Sequence, residues 1–138
     1  MAKDLETVGP IFKDFIETFV LKDKQGRFLQ FFEKEKNWWK LKLEFHTSVH
    51  LDNKVLVEIE PSNQYADSIY LKMKKMGASD DCISLLDYLD NKGYRYSLKE
   101  KLDDTVGFLC ETILYCPESK IAYFEGGHAK DRYILSSH

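Results

Sequence analysis

The 138-residue chain lacks the signatures of a disulfide-stabilised or membrane-spanning protein. It has three cysteines and no Cys-x-x-Cys pair, a pattern typical of reduced thiols rather than of a disulfide framework. No apolar run approaches the roughly 20 residues that a membrane helix requires. The first ten residues, "MAKDLETVGP", contain no apolar stretch of the kind found in signal peptides. The sequence therefore predicts a cytoplasmic protein with no membrane contact.

An excess of basic charge is also missing. Lysine and arginine total 20 against 23 acidic residues, which leaves a net charge of −3, whereas a nucleic-acid binder needs a basic surface to displace counterions from phosphate. The stretch "KEKNWWKLK", residues 34–42, does interleave lysines with Trp38 and Trp39 as single-strand binders do. Glutamates lie among these lysines, so we expect inward-facing tryptophans and no nucleic-acid partner.

Core-forming residues are abundant, and nothing interrupts them. Hydrophobic residues make up 43% and aromatic residues 14% of the chain, which is enough for a core without a metal or disulfides. There is no repeat, low-complexity tract or Pro/Gly/Ser-rich linker. We therefore expect a single globular domain spanning residues 1–138.

Apolar spacing of three and four residues predicts helices over 10–21, 26–46, 61–78 and 97–106. The apolar face of the first holds Val8, Ile11, Phe12, Phe15, Ile16, Phe19 and Val20, and Trp39 and Leu43 share a face of the second. Residues 39–46 also alternate as a strand would, so a strand remains the alternative there, although helical spacing is favoured. Ser62 is the predicted N-cap of the third helix and Gly77 its end. Ser97 and Glu100 have the spacing of a capping box at the start of the fourth.

Extended, alternating runs predict five strands, in the segments "KVLVEIE", "DCISLL", "CETILYC", "KIAYFE" and "RYILS". The predicted order is ααβαβαβββ. Helix-linked strands favour parallel crossovers, and the closely spaced final strands favour an antiparallel meander. The sequence thus predicts an α+β domain in which N-terminal helices precede a mixed sheet.

The segment "GGHAKD", residues 126–131, joins two runs of similar length and is predicted to be a hairpin connection. A phosphate cradle would need a helix after the glycines, and a strand follows instead. We expect one glycine to adopt a positive φ. The segment also gathers His128, Lys130 and Arg132, three donors that we take as candidate binding residues for an anion or an acidic group.

His46 and His50 have the four-residue spacing that a divalent metal can use on a helix. Thr47 stands where a zincin has glutamate, so an alternative is a histidine pair at the solvated end of a helix. Cys110 and Cys116 lie in or beside an apolar strand, where cysteine is usually a small buried hydrophobe rather than a nucleophile. We expect no cofactor.

Residues 76–125 contain ten acidic and five basic side chains. Asp80, Asp81, Asp103 and Asp104 are the acidic residues that we take as candidate binding residues. A negative surface of this kind speeds encounter with a basic protein partner, although the same charge is also typical of ordinary solubilising residues.

The string "MGASDDC" at 76–82 and the later "IAYFEGGHAKDRYIL" at 121–135 resemble small uncharacterised bacterial proteins. The resemblance implies a bacterial cytoplasmic domain and no particular activity. In size, acidity and α+β plan the chain is similar to immunity proteins, which neutralise secreted toxins. Two hypotheses follow: a protein-binding domain that occludes a basic partner, or a small enzyme or metal protein using His46, His50, His128 or a cysteine.

Overall fold

The computed structural model describes residues 5–87, 95–128 and 131–137. The helices are α1 (Leu5–Phe19), α2 (Lys22–Glu33), α3 (Trp38–Glu44), α4 (Ala66–Lys75) and α5 (Leu98–Thr105). The strands are β1 (Leu56–Glu58), β2 (Asp81–Ser84), β3 (Arg95–Ser97), β4 (Thr112–Cys116), β5 (Ile121–Glu125) and β6 (Arg132–Ser136). Among the described residues, none of the helices combines the length and apolar character needed to cross a membrane.

The six described strands form one sheet in the order β1-β6-β5-β4-β2-β3, and each neighbouring pair is antiparallel. The α+β class is therefore confirmed, as is the antiparallel ending, but the prediction of a mixed sheet with parallel crossovers is wrong. The physical reason is the placement of β1 and β2. They run in the same direction, yet β6, β5 and β4 lie between them, so α4 does not connect neighbouring strands.

Helices cover both faces of this sheet, because alternate residues of each central strand point to opposite sides. On β4, Ile113 and Tyr115 pack with α1, α2 and α3, whereas Leu114 and Cys116 pack with α4 and α5. The predicted apolar face of α1 is confirmed. Its core residues are fully buried: Phe12, Phe15, Ile16 and Phe19.

A polar contact also ties α1 to the sheet. The Asp14 carboxylate accepts a 2.5 Å hydrogen bond from the Tyr115 hydroxyl and lies 2.7 Å from the Lys120 ammonium. Partial burial works to raise the pKa of Asp14, but the hydrogen bonds from Lys120 and Tyr115 outweigh it and lower that pKa. Burial, together with the hydrogen bond to Asp14, raises the pKa of Tyr115.

The predicted helix over 26–46 is broken into two. A short 3₁₀ turn at residues 35–37 separates α2 from α3, and the helical prediction for 38–44 is confirmed over the strand alternative. The Trp38 indole N–H donates to the Phe32 carbonyl at 2.9 Å, and the two rings stack. Trp38 therefore packs inward as expected, whereas Trp39 does not: it is 59% exposed.

Of the predicted helix ends, one is wrong and two are confirmed. The Ser62 cap is wrong, since residues 61–63 form a 3₁₀ turn and α4 begins at Ala66. Gly77 does end α4, with φ +106°, and the Ser97 hydroxyl accepts from the Glu100 N–H at 3.4 Å. The strand β3 was not predicted at all. The segment "DNKGY", residues 90–94, has the composition of a turn, and it lies outside the described residues.

Candidate functional site

The hairpin prediction for "GGHAKD" is confirmed, because β5 and β6 pair in register up to Glu125 and Arg132. The expected role of its glycines is wrong, since neither has a positive φ. Both glycines allow close approach instead. A Cβ at Gly126 would lie 2.6 Å from the His46 carbonyl oxygen, and one at Gly127 would overlap the His46 ring.

His46 is held against this hairpin from three directions. Its Nδ1 lies 2.7 Å from Glu111 Oε2, and its carbonyl accepts from the Gly127 N–H at 2.8 Å. The ring of His128 meets the His46 ring edge-on, with centroids 5.0 Å apart. Half of the His46 side chain nonetheless remains exposed. The result is an accessible imidazole whose orientation the surrounding backbone and side chains determine.

Asp131 anchors the segment that carries His46. Its carboxylate accepts from the Ser48 N–H at 2.8 Å and from the Ser48 hydroxyl at 2.6 Å. Its carbonyl accepts from the Gly126 N–H at 2.9 Å. These bonds join the turn after α3 to the β5–β6 hairpin.

A depression of about 310 Å³ opens beside His46, and we call it the His46 depression. Its lining residues are Trp39, Lys42, Leu43, His46 and Glu111. Trp39 and Leu43 lie one helical turn apart on α3 and are 59% and 64% exposed. The depression thus combines apolar walls with an ammonium, an imidazole and a carboxylate.

The proposed histidine pair does not lie on one helix face. Because α3 ends at Glu44, His46 and His50 both lie in the turn beyond it. His50 Nε2 lies 3.3 Å from Glu44 Oε1, and its ring packs on Phe28. Within the described residues no three histidine, cysteine or acidic side chains are arranged to hold a metal ion.

The three donors taken from the hairpin occupy different environments. His128 is exposed and contacts His46, and Lys130 lies outside the described residues. The Arg132 side chain is only 11% exposed, with its Nε 3.7 Å from Glu125 Oε1. The structure therefore joins His128 to His46 rather than to Arg132.

Glu125 is fully buried, and it organises the loop before β4. Its carboxylate accepts from the Gly107 N–H at 2.9 Å, the Leu109 N–H at 2.8 Å and the Tyr123 hydroxyl at 2.7 Å. Gly107 and Leu109 both have positive φ, +89° and +58°. The loop held in this way exposes Phe108 and Leu109 by 64% and 45%.

Sequence reasoning missed this role of Glu125 and treated it as one of many surface acids. The available signal was strand alternation, because Tyr123 and Glu125 point to the same face of β5. An acidic residue at an inward-facing position needs partners to be tolerated. Its two backbone partners, the N–H groups of Gly107 and Leu109, come from 18 and 16 positions earlier, and no local pattern identifies them.

The acidic candidates divide into neutralised and unneutralised residues. Asp80 lies 2.5 Å from Lys74. Asp81 is exposed at the start of β2, and Asp103 and Asp104 are exposed on α5 beside Glu100. Glu100, Asp103 and Asp104 border a depression of about 370 Å³ whose other lining residues are Tyr96, Ser97 and Lys101. Across the described ranges no ion pair neutralises Asp103 or Asp104.

The three thiols differ in accessibility. Cys116 is buried as expected, and Cys82 is buried as well, but Cys110 is exposed, which contradicts its prediction as a buried hydrophobe. Cys110 precedes the start of β4 at Thr112, in the outward-facing loop that Glu125 holds. Burial raises the pKa of Cys116 to about 11 and also raises the pKa of Cys82. Both buried sulfurs therefore stay protonated at neutral pH.

Comparison of the chain with protein-family models, with curated proteins and with solved structures finds no match.

Proposed function

We propose that this protein is a protein-binding domain that occludes a basic segment of a partner, acting in the cytoplasm as an immunity-like or regulatory protein. The binding surface lies at the end of α5 and the loop that follows it. We call it the α5 surface and define it by five exposed residues: Glu100, Asp103, Asp104, Phe108 and Leu109.

The observation that carries the proposal is the way Glu125 holds this loop. A buried carboxylate is costly unless it is fully hydrogen-bonded, and a left-handed conformation strains a residue with a β-carbon by roughly 1–2 kcal/mol. Both features occur together here, at Glu125 and Leu109. A loop that only joined a helix to a strand would need neither.

This arrangement supports binding because it presents apolar side chains in a rigid conformation. Exposed aromatic anchors that are already ordered lose little entropy when a partner covers them. Phe108 and Leu109 are held by the two hydrogen bonds that the Gly107 and Leu109 N–H groups donate to the Glu125 carboxylate. They suit an anchoring role at the centre of an interface.

The charge beside these anchors determines the kind of partner. Asp103 and Asp104 end the same helix that leads into the loop, and Glu100 lies one turn earlier. Unneutralised carboxylates around an apolar centre favour a basic segment and attract it from a distance. This attraction weakens as the salt concentration rises. The partner is therefore expected to offer lysine or arginine around an apolar residue.

The test is a comparison of two matched variants. Phe108→Ser changes the α5 surface, and Leu71→Ser changes an equally exposed apolar residue on α4, away from it. Immobilised wild type and both variants are exposed to the same cell extract, and retained proteins are identified. The captured partner is then purified, and its affinity is measured by calorimetry at low and high salt.

We expect Phe108→Ser to weaken binding by about 2 kcal/mol, the cost typical of a central anchor. Leu71→Ser should leave the affinity unchanged, and a double Asp103→Asn/Asp104→Asn variant should flatten the salt dependence. Equal retention by Phe108→Ser and Leu71→Ser would show that the α5 surface is not the interface.

The second hypothesis, a small enzyme or metal protein, gains support from one contact. His46 is oriented by Glu111 in the way that carboxylates orient histidines in catalytic and metal sites. His50 does not extend this arrangement, since it pairs with Glu44. Metal analysis of purified protein tests it: stoichiometric zinc lost in His46→Gln would favour this function over protein binding.

A further inference from the structure

We infer that His46 and His128 together bind one divalent transition metal ion, of the class of Zn²⁺ or Cu²⁺. Such a site supplies the ligands for the second hypothesis above, the metal protein, and it rests on that hypothesis's contact between His46 and Glu111. It is independent of the α5 surface, because neither histidine belongs to that surface. The protein provides two imidazole nitrogens, and water completes the coordination of the ion.

The first ligand atom is Nε2 of His46. Nδ1 of the same ring lies 2.7 Å from Glu111 Oε2, a distance at which the Nδ1–H donates to the carboxylate. The neutral ring then carries its lone pair on Nε2, which is the form in which an imidazole binds a metal. Metal-binding histidines nearly always donate their other N–H to a carboxylate, a carbonyl or water. Glu111 is therefore the positioning residue of this site.

The edge of the His46 ring that carries Nε2 faces the β5–β6 hairpin. A Cβ built at Gly127 would overlap Cε1 of this ring and would lie 3.0 Å from Nε2. The glycine therefore lets the ring approach the hairpin backbone, and His128 is the next residue along the chain. Half of the His46 side chain remains exposed, so water and ions reach it.

The spacing of the two imidazoles fits a shared ion. With a Zn–N bond of about 2.0–2.1 Å, a ring radius of about 1.2 Å and a near-tetrahedral angle, two rings on one zinc have centroids roughly 5 Å apart. The centroids of His46 and His128 are 5.0 Å apart, and the ring planes are inclined by 71°. Parallel rings could not direct their in-plane lone pairs to one point, whereas inclined rings can. His128 is exposed, so its nitrogens are accessible as well.

The donor atoms determine the class of ion. Imidazole nitrogen suits zinc, copper and nickel, whereas calcium and magnesium prefer oxygen ligands. The Glu111 carboxylate, hydrogen-bonded to the far nitrogen of His46, raises the basicity of the ring. Lys42 lines the His46 depression, and His128 meets the ring from the hairpin. The ion therefore lies on the hairpin side of the ring.

The test is calorimetric titration of untagged, chelator-treated protein with Zn²⁺ alone. Metal is added because a site with two protein ligands is weaker than a structural site with four and loses its ion during purification. We expect one Zn²⁺ per chain, tighter binding of Cu²⁺ and no competition from Mg²⁺ or Ca²⁺. His46→Gln and His128→Gln should each weaken Zn²⁺ binding about tenfold or more.

Two matched controls accompany these variants. His50→Gln removes an imidazole that pairs with Glu44, and Cys110→Ser removes the exposed thiol. Both should bind Zn²⁺ as wild type does. Nitrogen NMR of the wild-type protein gives a second measurement that does not depend on how the variants fold. Zn²⁺ should shift the ring nitrogens of His46 and His128, with His46 Nδ1 still protonated, and should leave those of His50 unmoved.

The outcomes distinguish this site from the two functions proposed above. Weaker Zn²⁺ binding in His46→Gln with unchanged binding in His128→Gln would overturn the histidine pair, while the metal-protein hypothesis would stand. Equal weakening by His50→Gln, or unshifted His128 nitrogens in zinc-saturated wild type, would overturn the pair as well. Absence of both Zn²⁺ and Cu²⁺ binding would overturn the pair and the metal protein together. None of these results bears on the α5 surface, which Phe108→Ser tests.

Discussion

Replacing Glu125 with glutamine tests whether a buried carboxylate organises the loop that exposes Phe108 and Leu109. Glutamine keeps the size of the side chain but has one carbonyl oxygen and one NH₂ group. The present carboxylate accepts from Gly107 with one oxygen and from Leu109 with the other. In the variant, one of these two N–H groups must face an NH₂ group, which cannot accept.

The expected cost follows from the bonds lost. A hydrogen bond to a charged group contributes about 1.5–3 kcal/mol, and a buried donor left without an acceptor costs about 1–3 kcal/mol. The Arg132 guanidinium, mostly buried 3.7 Å away, also loses its opposite charge. We therefore expect Glu125→Gln to lower the free energy of unfolding by about 2–4 kcal/mol.

The assay is urea unfolding at neutral pH, combined with hydrogen exchange at the Gly107 and Leu109 amides. Both amides should exchange faster in Glu125→Gln than in wild type, because the loop is released. The control is Glu118→Gln, which removes an exposed carboxylate paired with Arg95 and should change stability by less than about 0.5 kcal/mol. If Glu125→Gln matches this control and both amides keep their protection, Glu125 does not hold the loop.

Three further predictions concern other parts of the chain. Because hydrogen bonds lower the pKa of Asp14 in the folded protein, the stability it contributes is present at neutral pH and lost as pH falls below the ordinary carboxyl range near 3.8. Urea unfolding should therefore separate wild type from Asp14→Asn by up to about 1 kcal/mol at pH 7, and the two should converge in acid; a constant difference would contradict the reasoning. Gly127→Val should lower the free energy of unfolding by about 1–3 kcal/mol, because its side chain would overlap the His46 ring. His128→Ala should change it by less than about 0.5 kcal/mol in melting experiments. Equal effects of the two substitutions would show that Gly127 is not needed for the close approach of His46. In native protein a thiol reagent should modify Cys110 rapidly and Cys116 only after unfolding, so early modification of Cys116 would show that its strand opens.

Features governed by local sequence were predicted well. The 3.6-residue spacing of α1 identified its buried face, because four aromatic and aliphatic residues on one side of a helix can be satisfied only by a core. The Ser97 cap and the Gly77 stop follow from hydrogen bonding and backbone freedom within a few residues. The hairpin at "GGHAKD" was identified for the same reason.

Other local predictions failed where contacts outside the sequence pattern are made. The helix over 26–46 is interrupted at residues 35–37, and across the break the Trp38 indole N–H donates to the Phe32 carbonyl. The glycines of the hairpin serve His46, eighty or more residues earlier in the chain, and not a turn conformation. Trp39 and Leu43 fitted an apolar face on a helical wheel, yet they line an open depression.

The sequence by itself determined that this chain forms an α+β domain, which residues of α1 are buried, and where the last two strands reverse. Those outcomes depend on side-chain periodicity and turn chemistry, which act over a few residues. Only the tertiary structure decided the strand order, the all-antiparallel sheet, the partners of Glu125 and the meeting of His46, Glu111 and His128. Such contacts join residues 65 or more positions apart at the candidate site, and the packing of helices on both faces of the sheet selects them.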